Sequence, residues 1–483
     1  MSEMKINNIA KNTSYLTLAF IIQKVFSFIY FVILARNLGP ETLGKYYFAV
    51  SLTTIFAIFI DLGLVNYLTR ETAKNREGSK KLLANVLGLK VVSSLLSVLA
   101  VFIFVNLLGE HDILTKQLVY ISVISMVLDS FTLTFFGSAR GCHNLKYESV
   151  SSVIFQMIVL GLGYYFISTG HDIRLIMAAL AFASLFNFVY SFLILKFKIR
   201  MPIGISFNLL FAKSILIVSL PFALYGIFQR LHTYLDSVLL AYFTNDYYVG
   251  IYQVSFKIIF ALQFLPMAFV ASLYPAMSYY WTNNREQLKI TFRRALDYLL
   301  LISIPISFAV FILSEKIILI FKDGYSEANW PLRISIIALI FIFLNFPLGS
   351  LLNACDLQAK NTRNMLISLV FSVVLNIILI PKFQVIGASI AVLSSNFLMF
   401  FLNSIECSKA IKYSYKNNII TLSKVVLATA VMSIFIIVLK NSLNIFILCF
   451  FAFLVYLLFL ILFGGIKKGE LVYLFNSFKL SKK

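Results

Sequence analysis

Residues 38–74 read LGPETLGKYYFAVSLTTIFAIFIDLGLVNYLTRETAK, and this stretch decides the fold. A turn with glycine and proline precedes an apolar run from Tyr47 to Leu68, which is interrupted once, by Asp61, and is followed by charged residues. A helix rises about 1.5 Å per residue, and the hydrocarbon core of a bilayer is about 30 Å thick. The run therefore predicts a helix that spans a membrane with little length to spare.

The composition of the whole chain indicates the same class. Of the 483 residues, 60% are hydrophobic and 13% are charged, and the mean hydropathy is +0.91. Soluble domains carry about 25% charged residues, so the sequence predicts an all-α integral membrane protein. The first apolar segment has no small-residue cleavage site and is too long for the core of a signal peptide. We therefore expect it to remain as the first helix.

Cysteine and charge patterns exclude several other classes. The four cysteines, at positions 142, 355, 407 and 449, are far apart and have no histidines at metal-ligand spacing. They predict neither disulfides, nor a metal site, nor a cofactor. The formal net charge of +21 comes from Lys and Arg residues in short loops between apolar runs. We attribute this charge to membrane topology and expect no nucleic acid partner.

Apolar segments of spanning length predict about fourteen transmembrane helices. An even number places both termini on one side. Of the 41 Lys and Arg residues, 28 fall in loops on that side and nine in the opposite loops, so the positive-inside rule places both termini in the cytoplasm. The expected segments are 12–36, 46–69, 82–107, 118–138, 150–168, 175–195, 214–242, 249–277, 297–319, 332–353, 364–381, 386–408, 421–439 and 444–464.

A weak internal repeat supports this count. Gly44-Lys45-Tyr46 recurs as Gly250-Ile251-Tyr252 at an offset of 206 residues, and two further pairs of short matches give offsets of 215 and 209. An offset of six helices indicates two parallel six-helix bundles followed by two extra helices. We expect an N-terminal bundle over 1–200, a C-terminal bundle over 201–410, and two additional helices with a basic cytoplasmic tail over 411–483.

These motifs resemble the signature of a known family. Gly39-Pro40-Glu41 with Gly44-Lys45-Tyr46, then Asp61-Leu62-Gly63-Leu64 and the basic loop 70–81, look like the amino-terminal part of the polysaccharide flippases. These are the Wzx-type transporters of the multidrug/oligosaccharidyl-lipid/polysaccharide (MOP) exporter superfamily. The segment Val249-Gly250-Ile251-Tyr252 continues the resemblance into the second half, so it covers essentially the whole chain.

The resemblance implies two helix bundles around a central cavity that opens alternately to either side of the bacterial cytoplasmic (inner) membrane. Its implied substrate is an undecaprenyl-pyrophosphate-linked oligosaccharide, carried from the cytoplasmic to the periplasmic leaflet. The implied role is the biosynthesis of O-antigen and lipopolysaccharide, capsule or exopolysaccharide. Membrane lipid, a polysaccharide polymerase and a chain-length regulator are the implied partners.

Four cations at membrane depth are the candidate substrate-binding residues. An ionisable residue that faces hydrocarbon costs at least about 2.5–3.5 kcal/mol, so such residues usually face a bundle interior or an aqueous cavity. A diphosphate needs donors of the kind that Lys and Arg supply. We expect Lys24, Lys90, Arg230 and Lys257 to line the pyrophosphate and glycan cavity. For Lys90 and Lys257 the alternative is a long stem that snorkels to the interface.

Two carboxylates, Asp61 and Asp129, share helical stripes with Ser and Thr residues. A carboxylate at this depth can take up protons for coupling to a proton gradient, or can pair with Lys24 or Lys90 to fix the bundle. For Asp61 the sequence favours pairing, because it lies in the Asp61-Leu62-Gly63-Leu64 motif near the cytoplasmic end. For Asp129 both roles stay open.

Three other functions fit parts of the sequence. A drug or cation antiporter of the same superfamily more often has twelve helices and an anionic cavity, which the cationic excess disfavours. The lipid II flippase of peptidoglycan synthesis shares the helix count and a basic cavity, but resembles residues 38–47 less. A membrane polymerase or ligase needs catalytic residues on a long periplasmic loop, and the longest outward loop, 314–333, has few candidates. We therefore predict a transporter without catalytic residues, and not an enzyme.

Overall fold

The computed structural model describes residues 3–76, 78–107, 111–142, 144–322 and 324–465. Within these ranges the regular secondary structure is helical and no β-strand occurs. Helices satisfy their backbone hydrogen bonds internally, as a chain in hydrocarbon requires. The expected all-α membrane fold is therefore confirmed.

The helices follow the apolar segments of the sequence. A π-helical turn, Ile194–Lys198, follows α6, and 3₁₀ turns at Leu319–Phe321 and Ser326–Ala328 precede α11. The α-helices are α1 (Glu3–Asp61), α2 (Leu64–Lys74), α3 (Ser79–Leu107), α4 (Ile113–Gly141), α5 (Lys146–Ser168), α6 (Ile173–Leu193), α7 (Leu209–Phe243), α8 (Asp246–Leu262), α9 (Phe264–Asn283), α10 (Arg285–Ile318), α11 (Asn329–Ala354), α12 (Gln358–Ile411), α13 (Lys416–Leu439) and α14 (Ile445–Leu462).

Helix α1 consists of two helices that meet at Gly39. The φ and ψ angles of Gly39 are 72° and 169°, which interrupts the helix. The hydroxyl oxygens of Tyr30 and Tyr46 lie 3.5 Å apart, and the ring centres of Phe31 and Tyr47 lie 5.7 Å apart. Residues 16 positions apart in a continuous helix are separated by about 24 Å. The chain therefore turns back on itself at Gly39.

Helix α12 has a similar break at Gln384, where φ is 52°. Asn364 Nδ2 donates a hydrogen bond to Asn403 Oδ1 at 2.9 Å. These two residues are 39 positions apart, which corresponds to about 58 Å along a continuous helix. The chain therefore also turns back within α12.

Eleven helices in the described residues are long and apolar enough to cross a membrane, or twelve if the two parts of α7 are one span. These parts, Lys213–Leu220 and Ala223–Phe243, are bent by 69°. The expected number of about fourteen stays a prediction. Each of α1 and α12 covers two of the expected segments but counts as one helix among the eleven. The chain is thus a multi-pass membrane protein.

Two compact units divide the chain. The first consists of Met1–Ala261 and Leu369–Ala388, and the second of Leu262–Ser368 and Ser389–Lys483. The three regions expected from the sequence stay a prediction. The expected basic tail follows residue 465 and lies outside the described residues.

A buried apolar core in the first unit joins α2 and α3 to the chain that follows α6. Leu64 and Leu68 of α2, Leu83 of α3 and Leu195 of the π-helical turn are all 0% exposed, and Met201 is 2% exposed. Burial of a leucine side chain contributes about 1.5–3 kcal/mol. This core holds the end of α6 and its turn in a fixed position.

Candidate functional site

The offset of 206 residues seen in the sequence recurs in contacts of the first unit. The hydroxyl groups of Tyr30 and Tyr46 meet within α1, and Tyr252 of α8 donates a hydrogen bond to Asp236 of α7 at 3.0 Å. Both pairs are 16 residues apart, and the second pair lies 206 positions after the first. The repeat therefore includes residues in contact, and not only short motifs.

Two glycines of the repeated motif allow α1 and α8 to cross in close contact. A Cβ atom on Gly44 would lie 1.7 Å from the carbonyl oxygen of Asp246, and one on Gly250 would lie 1.9 Å from that of Pro40. Real Cβ atoms do not approach backbone atoms so closely, so no side chain fits without movement of a helix. The matched motifs mark a crossing of two equivalent helices.

Lys90 of α3 is fully buried and is paired with Asp61, the last residue of α1. Lys90 Nζ lies 2.8 Å from Asp61 Oδ1 and donates to the carbonyl and hydroxyl oxygens of Ser130 at 3.0 and 3.2 Å. Burial of a charge is costly unless the charge is paired and hydrogen-bonded, and these contacts offset that cost. The side chain of Lys90 is 0% exposed, so its stem does not carry the charge to an interface.

The local backbone explains how Asp61 reaches this position. Leu62 and Gly63 have φ angles of 40° and 80°, and they end α1 before α2 begins. The Asp61-Leu62-Gly63-Leu64 motif is therefore a turn between two helices, with the carboxylate at the end of the first. Asp61 was expected to pair with Lys24 or Lys90, and in the structure it pairs with Lys90. The role of Asp61 in transport stays a prediction.

Arg230 of α7 lies 206 residues after Lys24 and so occupies the equivalent position of the repeat. It is half-buried and lies close enough to Lys90 for the two charges to repel. No carboxylate in the described part of the chain lies within ion-pairing distance of Arg230. Lys90 thus has a carboxylate partner in Asp61, whereas Arg230 has none among the described residues.

Lys24 of α1 and Lys257 of α8 form a second group of cations, which lie over aromatic rings. Lys24 Nζ is 3.3 Å from the ring centre of Phe260, and Lys257 Nζ is 4.2 Å from that of Tyr47. The two half-buried ammonium groups are close enough to repel each other. Neither has a carboxylate within ion-pairing distance among the residues that the structure describes. Ring faces attract cations without neutralising them, so neither ammonium group is held by a carboxylate that an anion would have to displace.

Asp129 of α4 has a different environment from Asp61. It is half-buried and lies beside Ser184 of α6. Across the described ranges no Lys or Arg side chain lies within ion-pairing distance of it. A carboxylate of this kind is suited to proton uptake, and that role stays a prediction.

Asp236 is a buried carboxylate of α7 that lies outside the candidate residues expected from the sequence. Its side chain is 3% exposed and accepts hydrogen bonds from Tyr252 at 3.0 Å and Asn376 at 2.7 Å. Asn376 is 140 residues away, so local spacing gave no signal; the offset of 206 from Tyr30 was the available clue. The described residues contain no group of three or more His, Cys, Asp or Glu side chains that could hold a metal ion.

A polar cluster is centred on Asp112, immediately before α4. The sequence did not predict this cluster. Asp112 Oδ2 accepts a hydrogen bond from Lys45 Nζ at 2.6 Å, and Oδ1 accepts one from the Thr115 backbone at 2.8 Å. Burial opposes ionisation of Asp112, but these hydrogen bonds and the charge of Lys45 outweigh it and lower its pKa to about 2. Thr115 Oγ1 also donates to Asp246 at 3.1 Å. The cluster thus connects α1, α4 and α8.

Comparison with known families agrees with the sequence motifs. Residues 9–281 match the model of the family described as polysaccharide biosynthesis protein. The chain belongs to that family. The MatE family model also matches residues 221–381. Together the two matches confirm the expected membership of the MOP exporter superfamily.

Two curated relatives align with most of this family member. The capsular polysaccharide biosynthesis protein CapF of Staphylococcus aureus is 23% identical, over 80% of this chain and 96% of its own length. The probable low-salt glycan biosynthesis flippase Agl15 of Haloferax volcanii is 21% identical, over 95% of this chain and 97% of its own length. The alignments therefore extend across nearly the full length of both relatives.

Solved structures share the fold. The lipid II flippase MurJ in an inward closed conformation has a TM-score of 0.78 and 17% identity, covering 95% of this chain and 99% of MurJ. An inward-facing multidrug resistance MATE family transporter has a TM-score of 0.65 and 15% identity, covering 81% of this chain and 96% of its own. At such identities the likeness shows the fold alone.

Proposed function

We propose that this protein is a flippase that moves a lipid-linked oligosaccharide across the bacterial cytoplasmic membrane for polysaccharide biosynthesis. The observation that carries the proposal is a set of cations at membrane depth that no carboxylate of the described residues neutralises. These cations are Lys24, Lys257 and Arg230. A diphosphate, such as that of an undecaprenyl carrier, is an anion that such cations bind. The family match and the names of CapF and Agl15 support a role in glycan assembly.

The four cations have two different roles in this proposal. Lys24 and Arg230 occupy equivalent positions of the repeat, so each half of the chain contributes one cation to the diphosphate site. Lys257 adds a third charge beside Lys24. Lys90 instead holds α1 and α3 together, because Asp61 neutralises it.

Coupling to a proton gradient is assigned to Asp129, which has a hydroxyl neighbour and no cation within ion-pairing distance in the described residues. Asp129→Asn is expected to remove the acceleration of transport by a proton gradient in reconstituted vesicles. Asp61→Asn/Lys90→Met is the matched comparison, since it removes the paired carboxylate without leaving Lys90 buried and unpaired. If Asp129→Asn keeps the full response to the gradient, the assignment is wrong.

The proposed topology has both termini in the cytoplasm, which follows from the charge of the loops. The released repeat unit would pass to a polysaccharide polymerase under a chain-length regulator. Reporter fusions at each terminus test the orientation, and co-purification with the polymerase of the host tests the partnership. A terminus accessible only from outside the cell contradicts this topology.

A second candidate is a lipid II flippase, and the TM-score of 0.78 to MurJ favours it. Lipid II also carries a diphosphate, so the same cations would serve either substrate. The two functions differ in the glycan and in the consequence of losing the protein.

Deletion of the gene in its host separates these functions. Lipid-linked intermediates, surface polysaccharide and peptidoglycan synthesis are measured in the same cells. Accumulated lipid-linked repeat units with loss of surface polymer support the proposal, and the accumulated glycan identifies the substrate. Accumulated lipid II with lysis indicates the second candidate. Normal surface polymer with raised drug sensitivity indicates an exporter and contradicts both.

Complementation of the deletion strain tests the cations. Lys24→Ala and Arg230→Ala are expected to abolish complementation at an unchanged membrane level, whereas Lys24→Arg retains it. Lys409→Ala is the matched control, because Lys409 is an exposed cation at the end of α12. Full activity of both alanine variants at Lys24 and Arg230 would show that these cations do not bind substrate.

A further inference from the structure

A basic cavity of about 430 Å³ lies where the chain leaves α6. None of its lining residues belongs to the sites described above. We propose that it binds the phosphate head group of an anionic membrane phospholipid. The lining residues are Phe192, Lys196, Arg200, Met201, Pro202 and Ile203.

The backbone around this cavity is fixed by packing and hydrogen bonds. Ile199 and Met201 belong to the buried core of the first unit. The backbone N–H of Ile199 donates to the carbonyl of Ile194 at 3.0 Å in the π-helical turn, and Arg76 donates to the carbonyl of Ile199. Arg200 has φ 57°, a left-handed conformation that costs energy for a residue other than glycine and that these contacts maintain. π-helical turns and strained residues of this kind occur frequently at functional sites.

The cavity carries positive charge that its neighbours do not neutralise. Lys196 and Arg200 are exposed, and neither lies within ion-pairing distance of a carboxylate in the part of the chain that the structure describes. The sequence from 173 to 235 contains no Asp or Glu. An ammonium and a guanidinium group that line one cavity can both donate hydrogen bonds to phosphate oxygens.

An exposed apolar stripe favours a lipid over a free phosphate ion. Val189, Leu193 and Phe197 follow one another at intervals of four residues and are 44%, 43% and 62% exposed. Residues four apart share a helix face, so apolar surface leads along α6 towards Lys196. The segment Ile173–Lys198 is long and apolar enough to cross a membrane, so its end lies at the depth of head groups. An acyl chain on the stripe would bring its phosphate to the cavity.

Native mass spectrometry of the purified full-length protein, titrated with phosphatidylglycerol, tests this proposal. The double variant Lys196→Gln/Arg200→Gln is expected to weaken binding of the first lipid by about tenfold or more. The control Lys409→Gln/Lys412→Gln removes two exposed cations elsewhere and is expected to change it by less than about twofold. The wild-type protein should bind phosphatidylcholine weakly. Its affinity for that lipid should not exceed the affinity of Lys196→Gln/Arg200→Gln for phosphatidylglycerol.

Three outcomes would overturn the proposal. The first is an equal loss of binding in both double variants, and the second is equal binding of the two lipids. The third is displacement of the lipid by low millimolar inorganic phosphate, which would indicate a site for the free ion. Melting temperatures in detergent show whether each variant is folded, and Lys196→Gln alone replaces the double variant if that one is not. Because the assay measures no transport, its result is independent of the proposed function.

Discussion

Two groups of cations in the first unit are accommodated in opposite ways. Lys90 has Asp61 at 2.8 Å and two oxygens of Ser130, whereas Lys24 and Lys257 have aromatic ring faces and no neighbouring carboxylate in the described residues. A neutralised charge fixes helices, since removal of either partner leaves the other buried and unpaired. Lys24 and Lys257 over their rings have no such partner, so a bound anion would meet no competing carboxylate among the described residues. The contrast separates a structural pair from the pair that we propose binds the substrate, called the binding pair below.

The largest expected effect follows from breaking the structural pair. Lys90→Met leaves the carboxylate of Asp61 without its cation, so we expect a loss of about 3 kcal/mol in stability. Thermal unfolding in detergent and the amount of protein in the membrane measure this loss.

The double variant Asp61→Asn/Lys90→Met is the control for this prediction. It removes both charges, so it is expected to recover most of the lost stability. A double variant that is no more stable than Lys90→Met would show that the two residues are not energetically coupled.

Removal of the binding pair is expected to reduce function without reducing stability. Lys24→Gln/Lys257→Gln should lower transport at least about tenfold, because hydrogen bonds to charged groups contribute about 1.5–3 kcal/mol each. Its melting temperature should equal or exceed that of the wild type, because two like charges are removed. A melting temperature as low as that of Lys90→Met would contradict the distinction between the two pairs.

The aromatic rings sharpen the comparison with a smaller effect. Phe260→Leu retains apolar volume near Lys24 but removes the ring face, which is worth about 1 kcal/mol to a cation. We expect transport to fall by about fivefold at an unchanged membrane level. Phe269→Leu is a matched control, since the ring of Phe269 packs on Tyr298. An equal fall in transport in this control would contradict a specific effect of the Phe260 ring on Lys24.

The smallest effect concerns an ion pair outside the membrane-spanning segments, that of Asp112 with Lys45. The pKa of Asp112 is about 2 against a usual 3.8, so the pair stabilises the folded protein above about pH 4, and this contribution is lost as the pH falls towards 2. Asp112→Asn should cost about 1 kcal/mol at neutral pH, a value reduced because solvent screens the pair. Melting temperatures of the wild type and of Asp112→Asn should converge as the pH falls towards 2. A difference that stays constant down to pH 2 would contradict the link between stability and the ionisation of Asp112.

The sequence was sufficient for the fold class, because hydrophobic length acts locally. The substrate-binding role of the four cations stays a prediction. The sequence also favoured structural pairing for Asp61, but left Lys24 and Lys90 as alternative partners. The choice depends on the turn at Leu62 and Gly63, whose positive φ angles end α1 beside α3. Only tertiary structure resolves that alternative.

The spacing of residues in the sequence did not predict contacts between distant segments. Asp236 binds Asn376, which is 140 residues away, and Asp112 binds Lys45, which is 67 residues away. The repeat could have indicated Asp236, since Tyr30 and Tyr46 lie 206 residues before Asp236 and Tyr252. The expected number of about fourteen helices stays a prediction. A helix that turns back at a single residue, as α1 does at Gly39, is continuous along the chain and is counted once.

Binding of undecaprenyl pyrophosphate to purified protein tests the central claim most directly. The dissociation constant is measured for the wild type, for Lys24→Gln/Lys257→Gln and for Asp61→Asn/Lys90→Met. We predict binding about tenfold weaker or more for the first variant and unchanged binding for the second. Equal affinity of all three proteins, or a loss only in the second variant, would contradict the assignment of Lys24 and Lys257 to the substrate.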